Sequence, residues 1–390
     1  MTTGTGHVVL DAGSYPIDGA HIGGIGLRIC ELAETLAEFV PTTVMAESVA
    51  GAVPVGRARL ASSRSWRELV GHADAVMFFD GGSSQRLHEA QTRQCLIIVE
   101  NAPPIEQLEY PSLRSAADPG AVHRRLVEDY AAQLRAADHF LCRSAVERVT
   151  LLANLCLTGR LSAAALDRSR TLEHLVSLVP IGFSASSAER AARAAPQPGP
   201  DLLWTGGLWA YFDPVAVVEA VKLCHDAGHP VSLGFLYGRA QPDNKMVVDD
   251  LLTAIRTHHL EDWVELRTEP ISHLSRDGVL KGSKALVSIA KPGIENDTCV
   301  RLRIRDSRLY GRPLLCDNFG PTAVEAAADG LGTAVDPRDR AALAAKIMTL
   351  TAGSEAHDTH GPIGGFDYTR SAARFLDWLV DAIARRRARL

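Results

Sequence analysis

Apolar residues along the chain follow two periods. Short, nearly continuous runs predict buried strands, and between them apolar residues recur at helical spacing. His7–Ala12 (HVVLDA) is the first such run and ends at Gly13. After the loop GSYPIDGAHIGG, Ile25, Ile29, Leu32 and Leu36 share one face of a helix expected over Ile25–Phe39. The same reading predicts strands at Thr42–Ala46, Ala75–Phe79, Cys95–Val99 and Phe140–Cys142. Helices are expected near Trp66–Gly71, Ser84–Arg93, Val122–Ala136 and Val146–Leu157. Strand, helix, strand in this order is the signature of a parallel sheet covered by helices on both faces.

A second alternation follows. It is expected to open with a strand at Leu178–Ile181 and a polar connector at Ala188–Pro200. Strands are predicted at Leu202–Thr205, Val231–Phe235, Val264–Leu266, Ala285–Ile289 and Leu314–Cys316. Helices are predicted at Pro214–Ala227, Lys245–His258, Val300–Tyr310 and Arg338–Leu350. Beyond Gly361–Gly365 (GPIGG), Phe375, Leu376, Leu379 and Ile383 line one face of a last helix expected to pack back on the first half. The fold class expected is α/β, two Rossmann-like doubly wound domains facing across a cleft: 1–180, 181–365, and a returning helix over 366–390.

Composition narrows the function classes. At 390 residues and 46% hydrophobic the chain is globular and long enough for two cores. A net charge of −5 argues against a general nucleic-acid binder. The one dense basic run, Arg385, Arg386, Arg387 and Arg389, reads as a solvated helix end. No stretch is apolar for long enough to span a membrane and no leader pattern is seen, so a cytoplasmic protein is expected. The seven scattered cysteines form no C-x-x-C pair and read as reduced.

Two places carry chemistry. Gly23 and Gly24 lie between the first strand and first helix, where free amides and the helix dipole favour a phosphate or sugar contact. The pattern is not G-x-G-x-x-G, which argues against a dinucleotide oxidoreductase. The segment KPGIENDTCVRLRIRDSRLYGRP sets Lys291, Glu295, Arg301, Arg303, Arg305 and Asp306 between two predicted strands, in the position of a ligand crevice. Arg301 and Arg305 are expected on one helical face, with Arg303 turned away. Carboxylates for hydroxyls beside guanidinium groups for a diphosphate suit a nucleotide-sugar site. Asp11, Asp80, Gly81, Glu100 and Asn101 stand at predicted strand ends, and His21, His88 and His273 are the histidines placed nearest the cleft.

The segments GGIGLRICELAETLA, LIIVENAPPIEQLE, ADHFLCRSAVERVTLLANLCLTGRL, VPIGF and LLWTGGLWAYFDP carry a resemblance spanning about residues 8–337. The chain resembles the retaining nucleotide-sugar glycosyltransferases of the GT-B fold, in the bacterial group 1 family related to glycogen synthase and sucrose synthase. The resemblance implies a donor site in the second domain. Asp306 stands where the family has a glutamate that holds the ribose, in a D-x4-G-x-P match to Gly311 and Pro313. Glu295 best matches the glutamate near the transferred sugar. The family's Gly-Arg and following Lys are absent from TGGLWAYFDP. The diphosphate is therefore expected to meet Arg301 and Arg303, with Lys291, Gly207 and the Gly23 and Gly24 amides assisting, and Arg239 and Lys245 in reserve. Trp209, Tyr211 and Phe212 are candidates for stacking or for core packing. Glu100 is expected to orient the acceptor, so that Glu295, Arg303 and Glu100 form the catalytic set.

The implied reaction is transfer of a sugar from a nucleoside diphosphate sugar, with retention, to a soluble small molecule such as an aminocyclitol in natural-product biosynthesis. The leaving diphosphate would take the acceptor's proton on the same face. No D-x-D lies in a suitable loop, so no metal and no cofactor beyond the donor is expected. Homodimer formation stays open. The alternatives are a sugar-nucleotide epimerase or pseudo-glycosyltransferase of the same scaffold, and a non-catalytic sugar-nucleotide-binding protein.

Overall fold

The structure, a computed structural model, describes residues 6–80, 83–100, 110–241, 244–269, 271–352 and 362–389. The chain divides into two compact units, Met1–Ser186 with Gly365–Leu390, and Ser187–Gly364. Each is built on a wholly parallel sheet.

The first unit holds β1 (Val8–Asp11), β2 (Thr42–Ala46), β3 (Arg59–Ser62), β4 (Ala75–Phe79), β5 (Leu96–Glu100), β6 (His139–Cys142) and β7 (Val176–Leu178). Their order is β3-β2-β1-β4-β5-β6-β7. Successive side chains go to opposite faces, as the pleat requires. Leu10, Val44, Met77 and Ile98 join a core with Ile29, Leu32 and Leu36 of the helix Gly24–Leu36. Val9, Met45, Val76 and Ile97 join the other, with Trp66, Leu87, Leu134 and Leu155. Phe375, Leu376, Leu379 and Ile383 of the last helix, Ala373–Arg387, complete the first of these cores.

The second unit holds β8 (Leu202–Trp204), β9 (Leu233–Phe235), β10 (Val264–Leu266), β11 (Ala285–Ser288), β12 (Leu314–Asp317) and β13 (Gly332–Val335), in the order β10-β9-β8-β11-β12-β13. Its core gathers Trp204, Phe212, Val217, Val221, Phe235, Leu251, Val287 and Leu343. The helix Pro214–Asp226 starts where its sequence says it should. Pro214 fills the first turn, and Asp213 Oδ1 accepts from the Ala216 amide at 3.1 Å.

The structure corrects several local expectations. The strand expected at Leu178–Ile181 belongs to the first sheet, ends at Leu178, and pairs with β6. The helix Ala185–Arg193 runs into the expected connector, in keeping with its Ala, Glu and Arg content. The helix expected over Val300–Tyr310 begins only at Ile304, and a separate short helix, Ile294–Thr298, precedes it with Cys299 extended between them. Arg301 and Arg305 therefore share no helical face. β3, β13 and the helix Gly320–Ala328 were not foreseen.

Candidate functional site

In an open doubly wound sheet the chain runs outward to one edge and then returns to the other side of its first strand. At that switch point the loops beyond the carboxyl ends of two adjacent strands part and leave a crevice. In the second unit the switch lies between β8 and β11, and in the first between β1 and β4.

The loops after β8 and β11 are tied together by backbone. Phe212 bridges to Ala290, the Lys291 amide donates to Tyr211 O at 2.9 Å, and Asp213 N donates to Ile289 O at 3.1 Å. Asn296 adds a brace, its Nδ2 donating to Lys291 O at 2.8 Å. Onto this platform falls Arg303, one residue before the helix Ile304–Tyr310. Its guanidinium carbon lies 3.8 Å from the centre of the Phe212 ring and 4.6 Å from that of Trp204. Nη2 donates to Gly207 O, and a side chain at Gly206 would run into the guanidinium. Nη1 is shut off from solvent and has no hydrogen-bond partner among the described residues. Burial pushes Arg303 down to about 9, with Arg301 adding repulsion and only Tyr211 and Asp306 opposing. A cation held this way favours an anion beside it.

The other expected residues separate by what already surrounds them. Glu295 is buried, 7% exposed, in the first turn of Ile294–Thr298. Burial raises the Tyr211 phenol, and the Glu295 charge raises it further. Gly207 supplies the carbonyl under Arg303. Lys291 is exposed on the same loop, its Nζ 3.5 Å from Ala210 O. Trp209 is 42% exposed, whereas Phe212 is core and platform.

Arg301 is taken up within the fold. Its Nη1 is 2.7 Å and its Nη2 2.9 Å from the Asp317 carboxylate, Nη1 also donates to Ser288 O at 2.9 Å, and Nε donates to Asn296 Oδ1 at 3.1 Å. That buried pair fastens the loop to the end of β12, so the expectation that Arg301 carries the diphosphate is corrected. Asp306 is likewise engaged: Oδ1 accepts from Arg276 Nη2 at 3.0 Å and from Arg305 Nη1 at 2.9 Å. Arg239 and Lys245 stand apart from this loop pair in the sequence, and Lys245 pairs with Asp249 at 2.5 Å. Asp317, which neutralises Arg301, was missed, although a carboxylate ending the apolar run LLCD was the available signal.

At the first unit's switch point Asp11 accepts from Arg86 Nη1 at 2.8 and 3.0 Å, while Arg86 lies 5.6 Å over Trp66. Asp80, in the left-handed region at φ 49°, accepts from the Tyr15 hydroxyl at 2.5 Å. Gly23 caps the helix Gly24–Leu36 without a side-chain hydrogen bond, and Gly23 and Gly24 are exposed. Gly26 has a packing role, since a Cβ there would collide with Pro16 O. Gly81 and Asn101 lie outside the described residues.

Glu100 presents no open carboxylate. Oε1 accepts from Arg28 Nε at 2.7 Å and Oε2 from Nη2 at 2.8 Å, with the two side chains 2% and 5% exposed. Arg28 is further held by Val179 O, Pro180 O and the Tyr368 hydroxyl. The expected acceptor-orienting role of Glu100 is corrected to that of a buried anchor. His21 is exposed and pairs with Asp18 at 2.8 Å, His88 is exposed, and His273 is buried.

No family model matches the chain, and no curated protein matches it. Solved structures do. The chain is similar to sucrose-phosphate synthase from Thermosynechococcus elongatus, with 15% identity, a TM-score of 0.58, and coverage of 97% of this chain and 100% of that one. It is similar to α,α-trehalose 6-phosphate synthase from Burkholderia multivorans, with 12% identity, a TM-score of 0.60, and 98% and 99% covered. It is also similar to the Anabaena protein HepE, solved with UDP and glucose, with 13% identity, a TM-score of 0.58, and 98% and 99% covered. At these identities the likeness shows the fold, and the chain has the two Rossmann-like units of the GT-B glycosyltransferase fold.

Proposed function

We propose that the chain is a glycosyltransferase that takes a nucleoside diphosphate sugar in its second unit and transfers the sugar, with retention, to a small polar acceptor. The observation that carries this reading is Arg303: a guanidinium stacked on Phe212 and Trp204, at the carboxyl ends of β8 and β11, with Nη1 sealed and unpartnered among the described residues. A diphosphate supplies the missing acceptors and charge. As the sugar leaves, negative charge grows on that diphosphate, and a fixed, poorly solvated guanidinium stabilises it more than water would. Lys291 is assigned as a further charge for the diphosphate, and Glu295 as the carboxylate for the transferred sugar. The proton of the acceptor passes to the leaving diphosphate on the same face, so no second carboxylate has to serve as base.

A thermal-shift screen of the full chain with UDP, GDP, dTDP and ADP tests this, because a ligand stabilises in proportion to the logarithm of its concentration over Kd. At least one is expected to raise the Tm, and Arg303→Ala is expected to weaken it roughly ten- to hundredfold, the loss of one or two charge-assisted hydrogen bonds. Equal binding by both proteins overturns the assignment. Release of the nucleoside diphosphate only when an acceptor is present separates transfer from epimerisation of the donor.

A further inference from the structure

Away from the β8 and β11 loops, the second unit buries a second group of nitrogen donors. The turn before the helix Asp277–Gly282 closes with Ser275 N donating to Ser272 O at 2.9 Å, and it carries His273 and Arg276, which are 1% and 6% exposed. Arg190 Nη2 lies 3.2 Å from His273 Nε2. A guanidinium can only donate, so Nε2 accepts and the ring proton sits on Nδ1. That Nδ1–H is sealed from solvent and has no partner among the described residues. Arg276 repeats the pattern. Nη2 is used by Asp306 at 3.0 Å and Nη1 by the Tyr237 hydroxyl at 3.5 Å, while Nε–H is sealed and without a partner among the described residues. Two buried donors three positions apart, both lacking acceptors among the described residues, go against the general rule that nearly all such groups are satisfied.

The local field selects what could satisfy them. His273 is held far below the usual imidazole range by burial and then by Arg276, Arg305 and Arg190. The one nearby carboxylate on the same helix, Asp277, is already engaged by Arg190 Nε at 2.8 Å and by the Tyr310 hydroxyl at 2.5 Å. A group that only accepts hydrogen bonds and carries negative charge answers both conditions. Arg190, whose side chain is 29% exposed, is the member open to solvent.

We propose that His273 and Arg276, with Arg190 beside them, form an oxyanion pocket that takes a phosphate group, distinct from the place assigned to the donor diphosphate. On the helix Ile304–Tyr310, Asp306 turns to Arg276, whereas Arg303, just before that helix, turns to the β8 loop. The pocket stands whether or not Arg303 holds a diphosphate.

Isothermal titration of inorganic phosphate into the full chain and into three variants tests it. His273→Leu removes the Nδ1 donor and keeps an apolar body, and Arg190→Gln changes a partly exposed side chain and so guards against a folding defect. Each is expected to weaken phosphate at least tenfold at one site, while Arg303→Met leaves that site intact. Phosphate binding unchanged in both His273→Leu and Arg190→Gln overturns the pocket. Binding abolished by His273→Leu and untouched by Arg303→Met upholds the pocket, and the diphosphate reading is judged apart from it, by the nucleotide melts of Arg303→Ala. The reverse pattern refutes the pocket alone. Competition with methyl phosphate separates the sources: displacement marks the phosphoryl group of an organic ligand, and failure to displace marks the free ion. Either result is the chemistry proposed.

Discussion

Replacing Glu100 by Ala should unfold the first unit more readily rather than slow a reaction. The Arg28–Glu100 pair is bidentate at 2.7 and 2.8 Å and almost entirely buried. Removing one partner strands the other's charge in the interior, which destabilises by about 3–5 kcal/mol. For a unit of this size each kcal/mol moves the Tm by roughly 2–4 °C, so a fall of roughly 6–20 °C is expected. Arg28→Met should cost a similar amount, because Glu100 is then the stranded ion. The double variant Arg28→Met, Glu100→Leu should recover most of the loss, since no buried charge remains and the apolar replacements fill the space. Urea denaturation of the four proteins, completing the double-mutant cycle, is the assay. A Glu100→Ala protein within about 1 kcal/mol of the parent, with turnover lost and KM kept, would refute this reasoning and restore Glu100 to the reaction.

Three further outcomes follow from the geometry. Gly206→Ala should displace the Arg303 guanidinium and weaken nucleoside diphosphate binding by about tenfold, with stability changed by less than about 1 kcal/mol, as read by calorimetry and thermal melts on one sample. Asp317→Asn should strand Arg301 and destabilise the second unit by about 3 kcal/mol or more, before any selective effect on nucleotide affinity, and a stable variant with weakened binding would contradict the anchor role. His139, stacked at 3.8 Å on Trp378, is pushed down to about 3, chiefly by burial. The unfolded chain therefore binds the extra proton first, so this contribution is complete above about pH 6.5 and fades as pH falls towards 3 at up to roughly 1.4 kcal/mol per unit. His139→Leu should flatten that part of the stability–pH curve, and an unaltered slope would exclude His139 as its source.

The sheets were legible because their strands are buried on both faces. VVLD, AVMFF and LIIVE announce themselves without alternation, and the order of elements implied parallel pairing. β3 was not legible, since RLAS is an exposed edge with no apolar run. GTAV and the alanine-rich Gly320–Ala328 have too little contrast between faces to declare themselves. The loop carrying the candidate residues was readable, and the pairing of side chains within it was not. Lys291–Asp306 lies beyond a predicted strand end, but which of its arginines is neutralised depends on Asp317 and Asn296, and which carboxylate is consumed depends on Arg276. Arg28 and Glu100 are far apart in sequence, so no local pattern could show that a strand-end carboxylate was already paired. Arg303 stands out only once Phe212 and Trp204 are seen beneath it.

The return of the chain to its first unit sets an order of events during synthesis. Tyr368 lends its hydroxyl to Arg28 and to the Gly182 amide, and Phe375, Leu376, Leu379 and Ile383 close a core begun at Val8 and Leu10. A ribosome delivers the whole of Ser187–Gly364 between those two halves. The later unit in sequence is thus the first that can finish folding, while the earlier one waits with an apolar flank uncovered until the final helix emerges. That interval is when the nascent chain is most exposed to aggregation and to chaperone capture.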